Sequence, residues 1–146
     1  MKKRILLILA CLLMVSGAAL ADKEKTISVS ELPTKAQTFI KEYFSDCKVA
    51  LAKLESGIVE KSYDVTFTNG VKLEFDSSGD WTEVKCKGSS VPEGIIPEKI
   101  ISYVKENFSG QKILEIEREK KTYEIKLSGG LEIKFNSKMQ VVDIDD

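Results

Sequence analysis

Lys61-Ser62-Tyr63-Asp64-Val65-Thr66-Phe67-Thr68-Asn69-Gly70-Val71-Lys72-Leu73-Glu74-Phe75-Asp76 is the stretch that decides the fold. Tyr63, Val65 and Phe67 alternate with Asp64, Thr66 and Thr68, and after Asn69-Gly70 the alternation resumes with Val71, Leu73 and Phe75. A period of two means strands with one apolar and one polar face, and Asn-Gly is the two-residue signal of a tight hairpin. The same pattern returns at Tyr123, Ile125 and Leu127, a Gly129-Gly130 turn, then Leu131, Ile133 and Phe135.

Upstream of each hairpin lies a helix pattern. Leu32-Pro33 opens a run in which Ala36, Phe39, Ile40 and Tyr43 share one face; Ile96-Pro97 opens its counterpart with Ile100, Tyr103, Val104 and Phe108. Proline suits a helix start, where its missing N–H costs nothing. Asp46 and Gly110 stand where the helices should stop. The blocks repeat at an offset of 97 − 33 = 64 in the helices and 121 − 61 = 60 in the strands, so the first copy carries four extra residues near Glu55–Glu60. An insertion of that kind belongs in a hairpin loop. A strand from Lys48 to Leu54, or Lys112 to Arg118, and a last strand after Asp76-Ser77-Ser78-Gly79-Asp80, or after Asn136-Ser137-Lys138, complete a helix followed by four strands.

The expectation is an α+β fold of two tandem helix-plus-four-stranded antiparallel modules. They form an extended sheet with the helices on one face, residues 22–88 being the first module and 89–146 the second. Modules this small bury too little surface to be stable apart, so they should share a sheet or a core.

Residues 1–21 read as a secretory signal. Lys2-Lys3-Arg4 is the basic start, Ile5 to Val15 the apolar run and Ala19-Leu20-Ala21 the small-x-small cleavage site, so the mature chain begins at Asp22. The apolar run is too short to span a membrane. Lipidation of Cys11 is the competing outcome, disfavoured by Leu9 before it and by the apolar run continuing through Val15. The expected location is periplasmic or secreted, without a membrane span.

Charge and composition exclude several functions. Without the signal the net charge is (22 − 3) − 23 = −4, which argues against nucleic-acid binding. The chain has no histidine, so Ser-His-Asp and Cys-His catalysis and His-ligated metals are out. Cys47 and Cys86 flank the first and last strands of a meander, about 14 Å apart at the strand spacing, which favours free thiols over a disulfide. Asp76–Asp80 and Asp143–Asp146 carry carboxylates without the spacing of a calcium loop. No catalytic residue, metal or cofactor is assigned.

The repeated Leu-Pro or Ile-Pro helix, the Tyr-x-Val-x-Phe strand, the Asn-Gly hairpin and the Phe-Asp-x-x-Gly-x-Trp turn resemble the beta-lactamase-inhibitor-like, or PepSY-like, proteins of the Gram-negative periplasm. The resemblance spans about Val29 to Ile144. It implies a sheet with helices on one face and the other face open. It implies no settled activity; the inhibitor name reflects similarity of fold to secreted inhibitors that grip a beta-lactamase with that open face. The second copy departs from the pattern, with Met139 for Gly79 and Val141 for Trp81.

The candidate binding residues are Trp81, Thr66, Lys72, Glu74 and Glu83. Strict alternation puts Trp81 on the open face beside Glu83 and Lys85, with Val84 and Cys86 facing in. A bulge after the Gly79 turn would instead swing Trp81 into the core. The other open-face positions, among them Asp64, Glu124, Lys126, Glu132 and Lys134, either solvate the sheet or give partner specificity. Val142 and Ile144 should face in. The expected role is a non-catalytic exported binding module, monomeric or weakly oligomeric, that contacts a protein or peptide. A small-ligand carrier or envelope-stress protein with a pocket between the modules, and a hydrolase using carboxylates, are the alternatives.

Overall fold

Residues 23–146 are described here, from a computed structural model. The signal segment, the cleavage site at Asp22 and Cys11 lie outside the described residues. All strands join one antiparallel sheet whose nine members stand in chain order. They are β1 (Lys23–Ile27), β2 (Val49–Ser56), β3 (Lys61–Phe67), β4 (Lys72–Asp76), β5 (Trp81–Lys85), β6 (Ile113–Glu119), β7 (Thr122–Leu127), β8 (Glu132–Phe135) and β9 (Val141–Asp145). Helix α1 (Thr34–Tyr43) lies between β1 and β2, and α2 (Glu98–Asn107) between β5 and β6.

The local chemistry explains these elements. At the Asn69-Gly70 hairpin, Gly70 takes a φ of 89° and the Phe67 N–H donates to the Val71 carbonyl at 2.9 Å. Pro33 and Pro97 stand at the N-caps of α1 and α2, and the helices end as the Phe44 and Phe108 N–H groups donate to Ile40 O (2.8 Å) and Val104 O (2.7 Å). The stops thus fall just before Asp46 and Gly110.

One apolar row runs through the register of every strand: Ile27, Ala52, Val65, Leu73, Val84, Ile116, Ile125, Ile133 and Ile144. The helices cover this face. Ala36, Ile40, Ile100 and Val104 are their buried residues. Phe39 of α1 meets Phe75 edge-on at 5.6 Å, and Tyr103 of α2 meets Phe135 edge-on at 5.6 Å. Two helices on one side leave the other side of the sheet open.

Three expectations need correction. The sheet has nine strands rather than eight, because Lys23–Ile27 adds an edge strand before the first helix. Trp81 is not on the open face. It pairs with Phe75 while Glu83 pairs with Glu74, so Thr82 is an extra residue and the alternation breaks there. The ring turns to the helix side and is 9% exposed. Val142 and Ile144 are exposed at 60% and 46%. Ile144 does pair with the fully buried Ile133, but β9 is an edge that the helices do not cover. Matching bulges insert Ala50 in β2, Leu114 in β6 and Val142 in β9. Each adds local twist and bends the sheet.

Candidate protein-binding face

The open face is organised by cross-strand rows. Lys53, Asp64, Glu74, Glu83, Glu117, Glu124, Lys134 and Asp143 oppose one another in succession from β2 to β9. Five acids on five adjacent strands therefore form a ladder, closed at each end by a lysine. At the usual strand spacing it is ~19 Å long. The neighbouring row is Leu51, Thr66, Lys72, Lys85, Glu115, Lys126, Glu132 and Asp145. It supplies counter-charge to the ladder where Lys85 Nζ reaches Glu83 Oε1 at 2.8 Å, while Lys126 reaches Glu132 at 4.0 Å within its own row. Lys134 reaches Glu124 at 3.9 Å within the ladder row.

Burial, and with it the crowding of like charges, moves several carboxyl groups off their usual range. Burial raises Glu74, and Glu83 opposite adds to the shift. Burial likewise raises Asp64, against a hydrogen bond with Glu55 that lowers it. Glu55 is pushed up to about 7, first by its hydrogen bond with Asp64 and then by burial. Burial and Glu124 raise Glu132. Like charges directly opposed across a sheet are destabilising, so this face is poised to gain from an incoming cation.

Thr66, Lys72, Glu74 and Glu83 come together around a concavity of about 260 Å³ on this face, with Leu51 and Asp64 also at its wall. Trp81 does not join them. Its ring stands on the helix side near Phe39 and Tyr123, with centroids 6.5 Å away in each case, and the Arg118 guanidinium lies over it at 4.1 Å. Arg118 also donates to the Trp81 carbonyl from Nη2 (2.8 Å) and Nε (3.1 Å). Trp81 is therefore a structural joint between β5 and β6.

Sequence reading missed Glu117 and Leu51 on the open face and Arg118 on the helix side. The alternation of Glu115, Glu117 and Glu119 was the available signal for the first; the bulge at Leu114 hid it.

The remaining polar groups explain themselves structurally. Asp76 Oδ1 accepts from Ser78 N (2.9 Å), Ser78 Oγ (2.6 Å) and Asp80 N (3.0 Å). Burial pushes that carboxyl up, but these hydrogen bonds outweigh it and hold the group below its usual range. It is a turn carboxylate. Among the described residues no three carboxylate or thiol groups converge to hold a metal. Cys47 and Cys86 are free. Burial pushes the Cys86 thiol up to about 11, so it stays protonated near neutral pH and is a poor nucleophile.

The chain is thus an antiparallel sheet with one helix-covered face and one open, charged, concave face. Residues 61–143 match the family described as "Putative beta-lactamase-inhibitor-like, PepSY-like", and the chain belongs to that family. Two Bacteroides vulgatus ATCC 8482 structures are similar. One, described as a putative periplasmic protein from the DUF2874 family, is 56% identical, covering 86% of this chain and 99% of its own at a TM-score of 0.84. Another, described as a putative periplasmic protein of unknown function, is 39% identical over 86% of this chain and all of its own (100%), with a TM-score of 0.80. A Bacteroides thetaiotaomicron structure described as a putative calcium-regulated periplasmic protein is 54% identical over 84% of this chain and 97% of its own, with a TM-score of 0.82. No curated protein matches significantly. The protein is periplasmic, as these relatives are described. The family is described by likeness to an inhibitor, not by an enzymatic activity. Among the described residues no helix is long and apolar enough to cross a membrane.

Proposed function

We propose that this protein is a non-catalytic periplasmic binding module whose open sheet face contacts a protein or peptide. Residues 1–21 serve as its export signal, and residues 22–88 and 89–146 are two copies of one helix-plus-four-strand unit, the first preceded by edge strand β1. The equivalent bulges and the matching Phe39–Phe75 and Tyr103–Phe135 contacts support the duplication.

The observation that carries the binding role is the uncovered face itself. It presents an unbroken five-acid ladder beside a concavity ringed by Thr66, Lys72, Glu74 and Glu83. Its 260 Å³ falls short of the ~300–1,000 Å³ typical of small-molecule sites. A broad contact with a macromolecule suits it better than an enclosed ligand. A partner for this face must bring cations to the ladder and accept the flanking lysines at its rim. The calcium in one relative's description is not carried over, since no metal cluster stands among the described residues.

The test is capture from periplasmic extract with the mature chain, compared with Glu74→Lys and with a helix-side control, Lys99→Glu. The ladder variant should lose the captured partner while melting no earlier than the parent, because a cation at that position opposes Asp64 and Glu83 in place of a third acid. Capture that survives the ladder reversal but fails in the control would place the working surface on the helix side.

A further inference from the structure

We infer that the outer edge of β9 is a docking site for an extended segment of another polypeptide, one that alternates lysine or arginine with aliphatic residues. This surface is separate from the open face. Among the described residues β9 is terminal in the sheet order and pairs with β8 alone, so one side of its backbone has no strand neighbour there. Natural sheet edges are usually blunted by charge or polarity. The opposite edge obeys this rule, since β1 reads Lys-Glu-Lys-Thr-Ile. β9 reads Val-Val-Asp-Ile-Asp: it carries two aspartates and the bulge at Val142, yet Val142 and Ile144 are two of the five large apolar side chains exposed among the described residues.

The register states what a tenth strand must carry. Ile144 extends the apolar row through Ile133, so the incoming strand needs an aliphatic residue beside it on the helix side. Asp143 pairs with Lys134 and Asp145 with Glu132 on the open side, so the residues opposing them must be cationic. Alternation of charge and aliphatic side chains follows directly from the strand period. Backbone pairing would supply affinity and the alternate side chains specificity, as in other strand additions.

A second copy of this chain fits poorly. Antiparallel pairing of two β9 edges, with Ile144 kept on the helix side, sets Asp143 against Asp143 or Asp145 of the other copy. β1 of a second copy fares no better. Its Glu24 and Thr26 lie on the open side, where Asp143 and Asp145 need cations, and its Lys23 and Lys25 lie on the helix side, where Ile144 needs an aliphatic neighbour.

The experiment titrates the mature chain, labelled with nitrogen-15, with the blocked peptide Lys-Val-Lys-Ile-Lys at millimolar concentration. Amide shifts should concentrate at Val141–Asp145. A peptide N-methylated at its valine and its isoleucine keeps its charges but lacks the N–H groups that would pair opposite Ile144, and should bind at least about tenfold more weakly. Asp143→Lys/Asp145→Lys should lose the cationic peptide by a similar factor and take up Glu-Val-Glu-Ile-Glu instead. Equal binding of the N-methylated peptide would reduce the contact to diffuse charge and overturn the inference. So would shifts confined to the Asp64–Glu124 ladder and abolished by Glu74→Gln. Light scattering that shows a dimer lost in Asp143→Lys would identify the occupant as a second copy, against the inference.

Discussion

Replacing Trp81 by alanine separates a joint from a binding anchor. The indole is 9% exposed, flanked by Phe39 and Tyr123 and capped by Arg118 at 4.1 Å. Removing a buried aromatic ring costs ~3–5 kcal/mol in transfer and cavity terms. The lost cation–π contact adds ~0.5–1 kcal/mol. Arg118 keeps its hydrogen bonds, because they go to the backbone carbonyl of residue 81. For a domain of this size the melting temperature should fall by roughly 10–20 °C. Circular dichroism and urea unfolding are the assays, since the substitution removes the chain's one tryptophan and with it the fluorescence probe. Any partner held by the open face should bind the folded fraction of Trp81→Ala as well as the parent does. A loss below about 1 kcal/mol combined with a specific binding defect would refute this reasoning and return Trp81 to the role of exposed hot spot.

Three further outcomes follow from the geometry. Glu55, Asp64, Glu74 and Glu132 all have pKa values raised in the folded state, Glu55 to about 7. The folded chain therefore holds more protons than the unfolded one. The stability this gives is full below the unfolded carboxylate range and is lost as pH rises through about 7. The melting temperature should be higher at pH 5.5 than at pH 8, by an amount corresponding to about 1 kcal/mol after solvent screening, and Glu55→Gln should flatten the dependence; a rise from pH 5.5 to 8 would contradict it. At the turns, Gly79→Ala should cost about 2 kcal/mol or more, because φ is +92° and a Cβ there would lie 2.7 Å from Pro33 Cβ. Lys120→Gly, at an exposed site with φ 54°, should instead gain up to about 1 kcal/mol in urea unfolding.

The hairpins, the helices and most of the core were legible because alternation and turn chemistry are local. Val65, Phe67, Leu73, Phe75, Ile125, Leu127, Ile133 and Phe135 are all buried as the period of two requires. β1 was not legible: Lys-Glu-Lys-Thr-Ile has no apolar alternation, since an edge strand outside the helices buries little. For Trp81 the sequence left two readings, strict alternation onto the open face or a bulge after the Gly79 turn, and the structure takes the bulge. Nothing in Trp81-Thr82-Glu83 announces that Thr82 is the residue it takes. The acid ladder was invisible because it exists only across strands. Asp64, Glu74, Glu83, Glu117 and Glu124 are scattered along the chain and become neighbours once strand order and register are known.

The ladder's continuity depends on the seam between β5 and β6. That pairing is short: Glu83 with Glu117, Val84 with Ile116 and Lys85 with Glu115. Two of these pairs lie on the open face, Lys85 with Glu115 of opposite charge and Glu83 with Glu117 of like charge, so the two effects oppose each other there. The helix side adds to the junction. Arg118 ties β6 to the Trp81 carbonyl where the bulge at Thr82 interrupts β5. At the other end Cys86 N donates to Leu114 O and Val91 N to Ile113 O, both at 2.8 Å, so the connection from β5 to α2 is itself tied to β6. The open face thus places Glu83 against Glu117, and the opposite face holds the two strands together despite it. A cation lying across the ladder would relieve that pair at the seam, so binding on the open face should tighten the junction of the two halves as well as occupy it.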